Sequence, residues 1–312
     1  MNVRFEELDP RSLARMIDVS AVYRDAAMAD VDRMVAAAKR FNCVCASTMP
    51  WATSYAIEQL RDSPAVQVVG NVAFPAGAET TKAKVAAAAE LVALGCAELD
   101  VVVNVNALKS GLDALVRADL TAVVDAAQGR PVKAIVEAGL LGEDELARVS
   151  SLAVQAGAAF VKTGTGWLGS AATVSQVQII RRVIGDSAAI KASGGIRSLS
   201  ELEALLGAGA TRFGVGVRSL ATLMRQAADA DRAAAHRRSA GSAGSAESAG
   251  DDQAADADRS GRYDQAAGSP GQDQAARSAI SDQAADADQA TGYDRGAEAA
   301  KFQSGTPAGG AL

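Results

Sequence analysis

Up to about residue 230 the chain alternates short, continuously apolar runs with longer stretches whose apolar residues recur at helical spacing. Eight runs read as buried strands: ARMIDVS, CVCAST, VQVVGNVAF, ELDVVVN, VKAIVEA, AFVKTG, AAIKASG and RFGVG. Between them lie amphipathic stretches such as ADVDRMVAAAKRF, TKAKVAAAAELVALG, EDELARVSSLAVQAG and TVSQVQIIRRVIG. Successive strands start about one βα unit apart. Ser198 and Glu201 have the spacing of a capping box opening SLSELEALLGAG, and Gly95, Gly157 and Gly209 stand where glycines close helices.

Eight βα units in this length predict an α/β protein, a TIM (β/α)8 barrel over residues 1–230. A doubly wound open sheet has the same alternation and is the competing fold. The polar residues favour the barrel. Asp18, Asp100, Lys133, Lys162, Lys191 and several glycine pairs fall in or just after strands, where a barrel gathers its site.

Composition changes sharply after that point. From Arg232 to Leu312 there is no Val or Trp, one Ile, one Phe and a single terminal Leu, and DQAA recurs at Asp252, Asp264, Asp273 and Asp282. Such a segment buries too little apolar surface to offset its ordering entropy. Residues 231–312 are expected to be a disordered low-complexity tail rich in Ala, Gly, Ser, Asp and Gln, with transient helix in its alanine stretches.

The formal charge of −6 gives no reason to expect nucleic acid or an anionic membrane. MNVRFEELDP lacks the apolar segment of a secretory signal, and no run reaches transmembrane length. Three cysteines, Cys43, Cys45 and Cys96, have no disulfide-framework spacing, so a reduced, cytoplasmic protein is expected. The only histidine, His236, lies in the polar segment, which argues against Ser–His–Asp catalysis and against a histidine-bound metal.

Three strands carry a lysine in an apolar setting: Lys133, Lys162 and Lys191, out of 8 lysines in the chain. Burying an ammonium favours its neutral form or demands a partner, and a neutral lysine is a nucleophile. An ordinary lysine has a pKa of about 10.4, so about one in a few thousand is neutral at pH 7. Mutual repulsion among the three lysines is one route to the needed shift. Asp100, on the fourth strand, is positioned to relay protons or to balance the lysines. Gly194-Gly195 and Gly214-x-Gly216 follow the seventh and eighth strands, where barrels bind phosphate through backbone N–H groups, and Arg197 and Arg218 lie beside them. GTGWLG, Gly164 to Gly169, matches a dinucleotide fingerprint, but it follows the sixth strand rather than opening a Rossmann unit.

DVVVN after Asp100, VKAIVEAG around Lys133, FVKTGTG around Lys162 and KASGGIR around Lys191 resemble deoxyribose-phosphate aldolase, and NVAFPAGAETTKAK resembles the family's segment after its third strand. The likeness runs from about Met16 to Leu223. It implies a class I aldolase on a TIM barrel, with no metal and no organic cofactor. Lys162 would form the Schiff base, Asp100 and Lys191 would shuttle protons, and Lys133 would support the carboxylate and substrate hydroxyls. The reaction implied is reversible cleavage of 2-deoxy-D-ribose 5-phosphate to acetaldehyde and D-glyceraldehyde 3-phosphate. Thr165, Gly166, Gly194, Gly195, Arg197, Gly216 and Arg218 would hold the substrate and its phosphate. The partner is a small aldehyde or sugar phosphate, and the resemblance leaves room for a homodimer.

The chain departs from the family's pattern in four places. Gly164 replaces a serine after the Schiff-base lysine, and Gly216 and Val217 replace a serine pair that grips phosphate. IDVSAV departs from D-H-T-x-L, and CASTMPW is altered after Cys45. A Schiff-base aldolase for another or an unphosphorylated acceptor is therefore an alternative. A non-covalent sugar-phosphate isomerase or epimerase, and a sugar-phosphate binding protein, are two more.

Overall fold

The computed structural model describes residues 9–247. Eight parallel strands close into a barrel in sequence order: β1 (Ile17–Ala21), β2 (Cys45–Thr48), β3 (Gln67–Val72), β4 (Glu98–Val102), β5 (Val132–Ile135), β6 (Phe160–Lys162), β7 (Ala189–Ser193) and β8 (Arg212–Gly216). Seven fall inside their apolar runs and β1 ends one residue past its own, while pairing of β1 with β8 closes the sheet and excludes the open one. Cys43 is the small exception in the second run. It precedes β2, so only Cys45 of that pair lies in a strand.

The helices are α1 (Pro10–Ala14), α2 (Met28–Phe41), α3 (Thr53–Gln59), α4 (Thr81–Leu94), α5 (Val105–Lys109), α6 (Asp113–Ala126), α7 (Glu143–Gln155), α8 (Val174–Ile184), α9 (Leu199–Gly207) and α10 (Val217–Glu247). Ser198 Oγ accepts the Glu201 N–H while the Glu201 carboxylate accepts the Ser198 N–H, the box expected at the start of α9. Thr173 and Gln176 make the same exchange at α8. Gly95, Gly157 and Gly209 have φ of 101°, 89° and 112°, the left-handed turn that ends α4, α7 and α9.

α10 extends past the composition change, so the boundary expected at residue 230 falls inside a helix. Alanine has the highest helix propensity of any residue, and the run ADADRAAAHRR continues the helix without needing a core. His236 lies on this helix. The tail expectation for residues 248–312 lies outside the described residues.

The apolar core sits between the outer faces of the strands and the helices. Met34 of α2, Leu91 of α4, Leu120 of α6, Val149 of α7, Ile180 of α8 and Leu205 of α9 are all buried there. Each such side chain contributes about 1.5–3 kcal/mol by leaving water. The barrel interior is different, because several strands turn charged residues inward. Register fixes their neighbours: Asp100 is opposite Lys133, Lys162 opposite Lys191, and Lys191 opposite Arg212.

A fourth buried lysine, Lys84, belongs to α4 and was not singled out by the sequence. Its Nζ bonds Asp119 Oδ2 of α6 at 2.6 Å and the Val102 carbonyl of β4 at 3.1 Å. Thr81 Oγ1 donates to the other oxygen of Asp119 at 2.7 Å. This pair ties two helices to a strand and lies outside the cavity described below. Removing one partner leaves a buried charge unmatched, so Asp119→Ala is expected to lower stability by about 3–5 kcal/mol, read from the denaturant midpoint. A loss under about 1 kcal/mol would show the pair to be dispensable.

Candidate active site

Asp100 is buried in the middle of β4 and has three lysine partners. Lys133 Nζ reaches Oδ1 at 2.9 Å, and Lys162 Nζ and Lys191 Nζ each reach Oδ2 at 2.8 Å. Residues two apart on a strand share a face, so Glu98 lies on the same inner wall as Asp100. It also meets Lys133, at 2.5 Å. Asp18 of β1 pairs with Lys191 at 2.5 Å, an ion pair without hydrogen-bond alignment.

Arg212 of β8 completes the network from below. It donates to Asp18 Oδ1 at 2.7 Å and to Glu98 Oε1 at 3.2 Å. The ring of Phe160 lies between cations, 5.3 Å from the Arg212 guanidinium and 5.8 Å from Lys133 Nζ. Asp18, Cys45 and Glu98 bring potential ligand atoms within 4.8 Å of one another. Arg212 Nη1 already contacts all three, at 2.7, 3.4 and 3.4 Å, so a guanidinium holds the position a metal ion would need.

The charges are unequal in behaviour. Burial pushes the Asp100 carboxyl up, but the three ammonium groups around it outweigh burial and hold it well below the usual range. Burial likewise opposes the ionised form of Asp18, and Lys191, Lys133 and Arg212 overcome it. Lys133 goes the other way from a free amine. Burial disfavours its charge, but Asp100, Asp18 and Glu98 raise its pKa above the ordinary lysine value and keep it cationic.

Lys162 differs from Lys133 in that its pKa is drawn down, to about 8. Burial is the largest cause, Asp100 opposes it, and the ammonium groups of Lys191 and Lys133 push it further down. Both routes open from the sequence, burial of the amine and repulsion among the lysines, act here, and burial is the larger.

A cavity of about 520 Å³ opens over this cluster at the C-terminal ends of β1, β6, β7 and β8. Lys162 and Lys191 line it, and so do all seven residues expected to hold substrate: Thr165, Gly166, Gly194, Gly195, Arg197, Gly216 and Arg218. Lys133 and Asp100 do not line it. Both lie beneath the floor, fully buried, so Lys133 reaches the carboxylate but not a substrate hydroxyl.

Two of the expected binding groups are already engaged. Thr165 Oγ1 donates to Glu137 Oε2 at 2.6 Å and accepts the Trp167 N–H at 3.1 Å. The Arg218 guanidinium bonds Asp25 at 3.3 Å and lies 3.5 Å from Asp30. Glu137 also explains Gly164. A Cβ there would lie 2.9 Å from Glu137 Oε1, so the serine of the family pattern would require this carboxylate, bonded to Thr165, to move.

Sequence reading missed Glu98, Arg212, Glu137 and the pair Ser47–Asn71. Asn71 Nδ2 donates to Ser47 Oγ at 2.9 Å and to the Thr48 carbonyl at 2.8 Å, which fixes the amide's orientation. Its Oδ1, buried and lining the cavity, has no hydrogen-bond partner among the described residues. Inward parity could have found Glu98 and Arg212, since each stands two residues from a position already singled out in its strand. Asn71 carries a weaker signal of the same kind, a lone amide in the apolar run of β3 and in register with Asp100, whereas Glu137 lies past the end of β5 and its role depends on loop geometry.

A family model described as DeoC/LacD family aldolase matches residues 9–218. Deoxyribose-phosphate aldolase of Rhizobium meliloti strain 1021 is 38% identical over 221 residues, 71% of this chain and 89% of the relative. Deoxyribose-phosphate aldolase 1 of Oceanobacillus iheyensis is 40% identical over 203 residues, 65% of this chain and 91% of the relative. Among solved structures, the tetrameric deoxyribose phosphate aldolase of Aeropyrum pernix aligns with a TM-score of 0.63 at 28% identity, covering 70% of this chain and 91% of that one. All eight strands and the whole lysine cluster lie within the matched span, and the chain belongs to the DeoC/LacD family of aldolases.

Proposed function

We propose that this protein is a class I aldolase that reversibly cleaves 2-deoxy-D-ribose 5-phosphate to acetaldehyde and D-glyceraldehyde 3-phosphate. The observation that carries this reading is Lys162, a cavity-lining amine with its pKa drawn down to about 8 beside a second cavity-lining lysine. At pH 7 about one such amine in ten is neutral, against about one in a few thousand for an ordinary lysine.

The neutral amine of Lys162 adds to the open-chain aldehyde carbon, and loss of water from the carbinolamine leaves a protonated imine. Removal of the proton from the hydroxyl on the third carbon lets the bond between the second and third carbons break. Its electron pair moves into the imine, forming an enamine and freeing glyceraldehyde 3-phosphate. The enamine carbon then takes a proton, and hydrolysis returns acetaldehyde and free Lys162.

Lys191 is the proton-transfer group that faces the substrate. Asp100 Oδ2 holds both Lys162 Nζ and Lys191 Nζ at 2.8 Å, so it bridges the two amines and provides a path between them. Asp100 acts only through them, because it does not line the cavity, and Lys133 and Arg212 are positioning residues. Asn71 Oδ1 is the acceptor available to a substrate hydroxyl. The phosphate end is built from the loops holding Gly166, Gly194, Gly195 and Gly216, with Arg197 and Arg218. The second reading, an unphosphorylated acceptor, is favoured by the engagement of the Arg218 guanidinium with Asp25.

We place the enzyme in a reducing cytoplasm, since its three cysteines are free and buried. Burial lifts the thiols of Cys43 and Cys96 to about 12 and 11, which suppresses the thiolate needed for exchange. Among the described residues no helix is long and apolar enough to cross a membrane. Self-association is part of the proposal, with a homodimer as its smallest unit.

Incubation with acetaldehyde followed by borohydride is expected to leave a reduced two-carbon adduct on Lys162, located by peptide mass mapping. Lys162→Met should lose both adduct and cleavage. An adduct found only on another lysine, or none on folded protein, sinks the mechanism.

The nucleophile is the deprotonated form, so kcat/KM should rise about tenfold per pH unit below about pH 8 and then level. Lys191→Met removes a cation that lowers the pKa of Lys162, so the rise in residual adduct formation should move to higher pH. A flat profile between about pH 6 and 9 contradicts the assignment of Lys162 as the titrating group.

A further inference from the structure

Tyr23, on the loop after β1, is held in place through both of its chain neighbours. The Val22 carbonyl accepts Trp167 Nε1–H at 2.6 Å. Arg24 donates to the Trp167 carbonyl at 2.7 Å, and its guanidinium lies 5.3 Å from the Trp167 ring centroid. The ring of Phe74 meets Trp167 edge-on at 5.8 Å, bracing the clasp. The phenol between these anchors is a fixed part of the cavity wall.

Its hydroxyl accepts the backbone N–H of Arg218 at 3.2 Å, and the Arg218 guanidinium stacks on its ring at 4.1 Å. A Cβ at Gly216 would collide with that hydroxyl. The last residue of β8 therefore has no side chain where the phenol oxygen stands. A phenol has one proton to donate, and among the described residues none accepts it. The same cavity collects the guanidinium-bearing Arg24, Arg197 and Arg218. Gly194 and Gly195, with φ of 106° and 70°, make a turn whose successive amides suit an anion.

We infer that Tyr23 sets acceptor specificity: its phenolic O–H donates to a phosphate-ester oxygen at the β8 end of the cavity, where position 216 has no hydroxyl to offer. Arg218 serves through its backbone N–H and by holding the ring, while its guanidinium is engaged by Asp25. This rests on the phosphorylated substrate proposed above. A hydrogen bond from an O–H to a charged oxygen is short and strong, so its loss is measurable.

Tyr23→Phe removes the hydroxyl and keeps the ring that carries Arg218. The expected result is a rise of about tenfold in KM for deoxyribose 5-phosphate with kcat within about twofold, and no change in kcat/KM for unphosphorylated deoxyribose. Tyr23→Ala opens the space facing position 216, and Gly216→Ser in that background should recover part of the phosphate preference. An unchanged or lowered KM in Tyr23→Phe overturns the inference, because the phenol is then a passive wall or an obstruction. Inorganic phosphate binding, measured by calorimetry, tests the subsite without turnover. Weaker phosphate binding by Tyr23→Phe supports the inference even if deoxyribose 5-phosphate proves not to be the substrate. Failure of the unsubstituted protein to bind phosphate overturns it.

Discussion

Inside the barrel four cationic side chains, Lys133, Lys162, Lys191 and Arg212, meet three carboxylates, Asp18, Glu98 and Asp100. All are withdrawn from bulk water, where an unmatched ion carries a penalty of several kcal/mol. One cation is in excess. Arg212 cannot lose its proton, and Lys133 is held charged by the carboxylates around it. Lys162, at the top of the cluster with its pKa drawn down to about 8, is the cation whose deprotonation brings the interior to neutrality. In the proposed mechanism burial thus produces the nucleophile: the low-polarity setting that penalises excess charge also favours the neutral amine.

Such a cluster tolerates little movement, because its contacts are short and a shift of one strand would undo them. The barrel supplies the needed rigidity. Closed pairing leaves no free edge, and register sets Asp100 beside Lys133 and Lys162 beside Lys191. A one-residue slip of β5, β6 or β7 would turn its lysine out of the interior. The lower tier adds a second constraint. Arg212 joins Asp18 to Glu98 across the barrel floor, so the carboxylates that hold Lys133 and Lys191 are themselves fixed.

The barrel was legible because each strand is a continuous apolar run, and the lysines were legible because they break that pattern. The same logic did not separate a catalytic lysine from a structural one. Lys84 is as buried as Lys191, but it lies on a helix whose alternating composition hides the anomaly. Nor did sequence reveal that Lys133 and Asp100 lie under the floor while Lys162 and Lys191 face the cavity, since all four sit on inward positions. Depth along the barrel axis depends on how strands are staggered. Composition marked the change near residue 230 but not the end of α10, because alanine-rich sequence sustains a helix without a core.

The two glycine departures from the family pattern have a common physical cause. Beside Gly164 stands the carboxylate of Glu137, held in a left-handed backbone conformation with φ of 54° and bonded to Thr165. Beside Gly216 stands the phenol of Tyr23, bonded to the Arg218 backbone. In each case a side chain from a neighbouring loop fills the volume that a serine would need, and brings its own polar atom. The strand ends lose side chains while the loops gain them, and the charged interior below is untouched by the exchange. A TIM barrel allows this separation because its chemistry is anchored on strands and its substrate wall on βα loops. In the proposed mechanism, imine formation at Lys162 and recognition of the acceptor can therefore change independently.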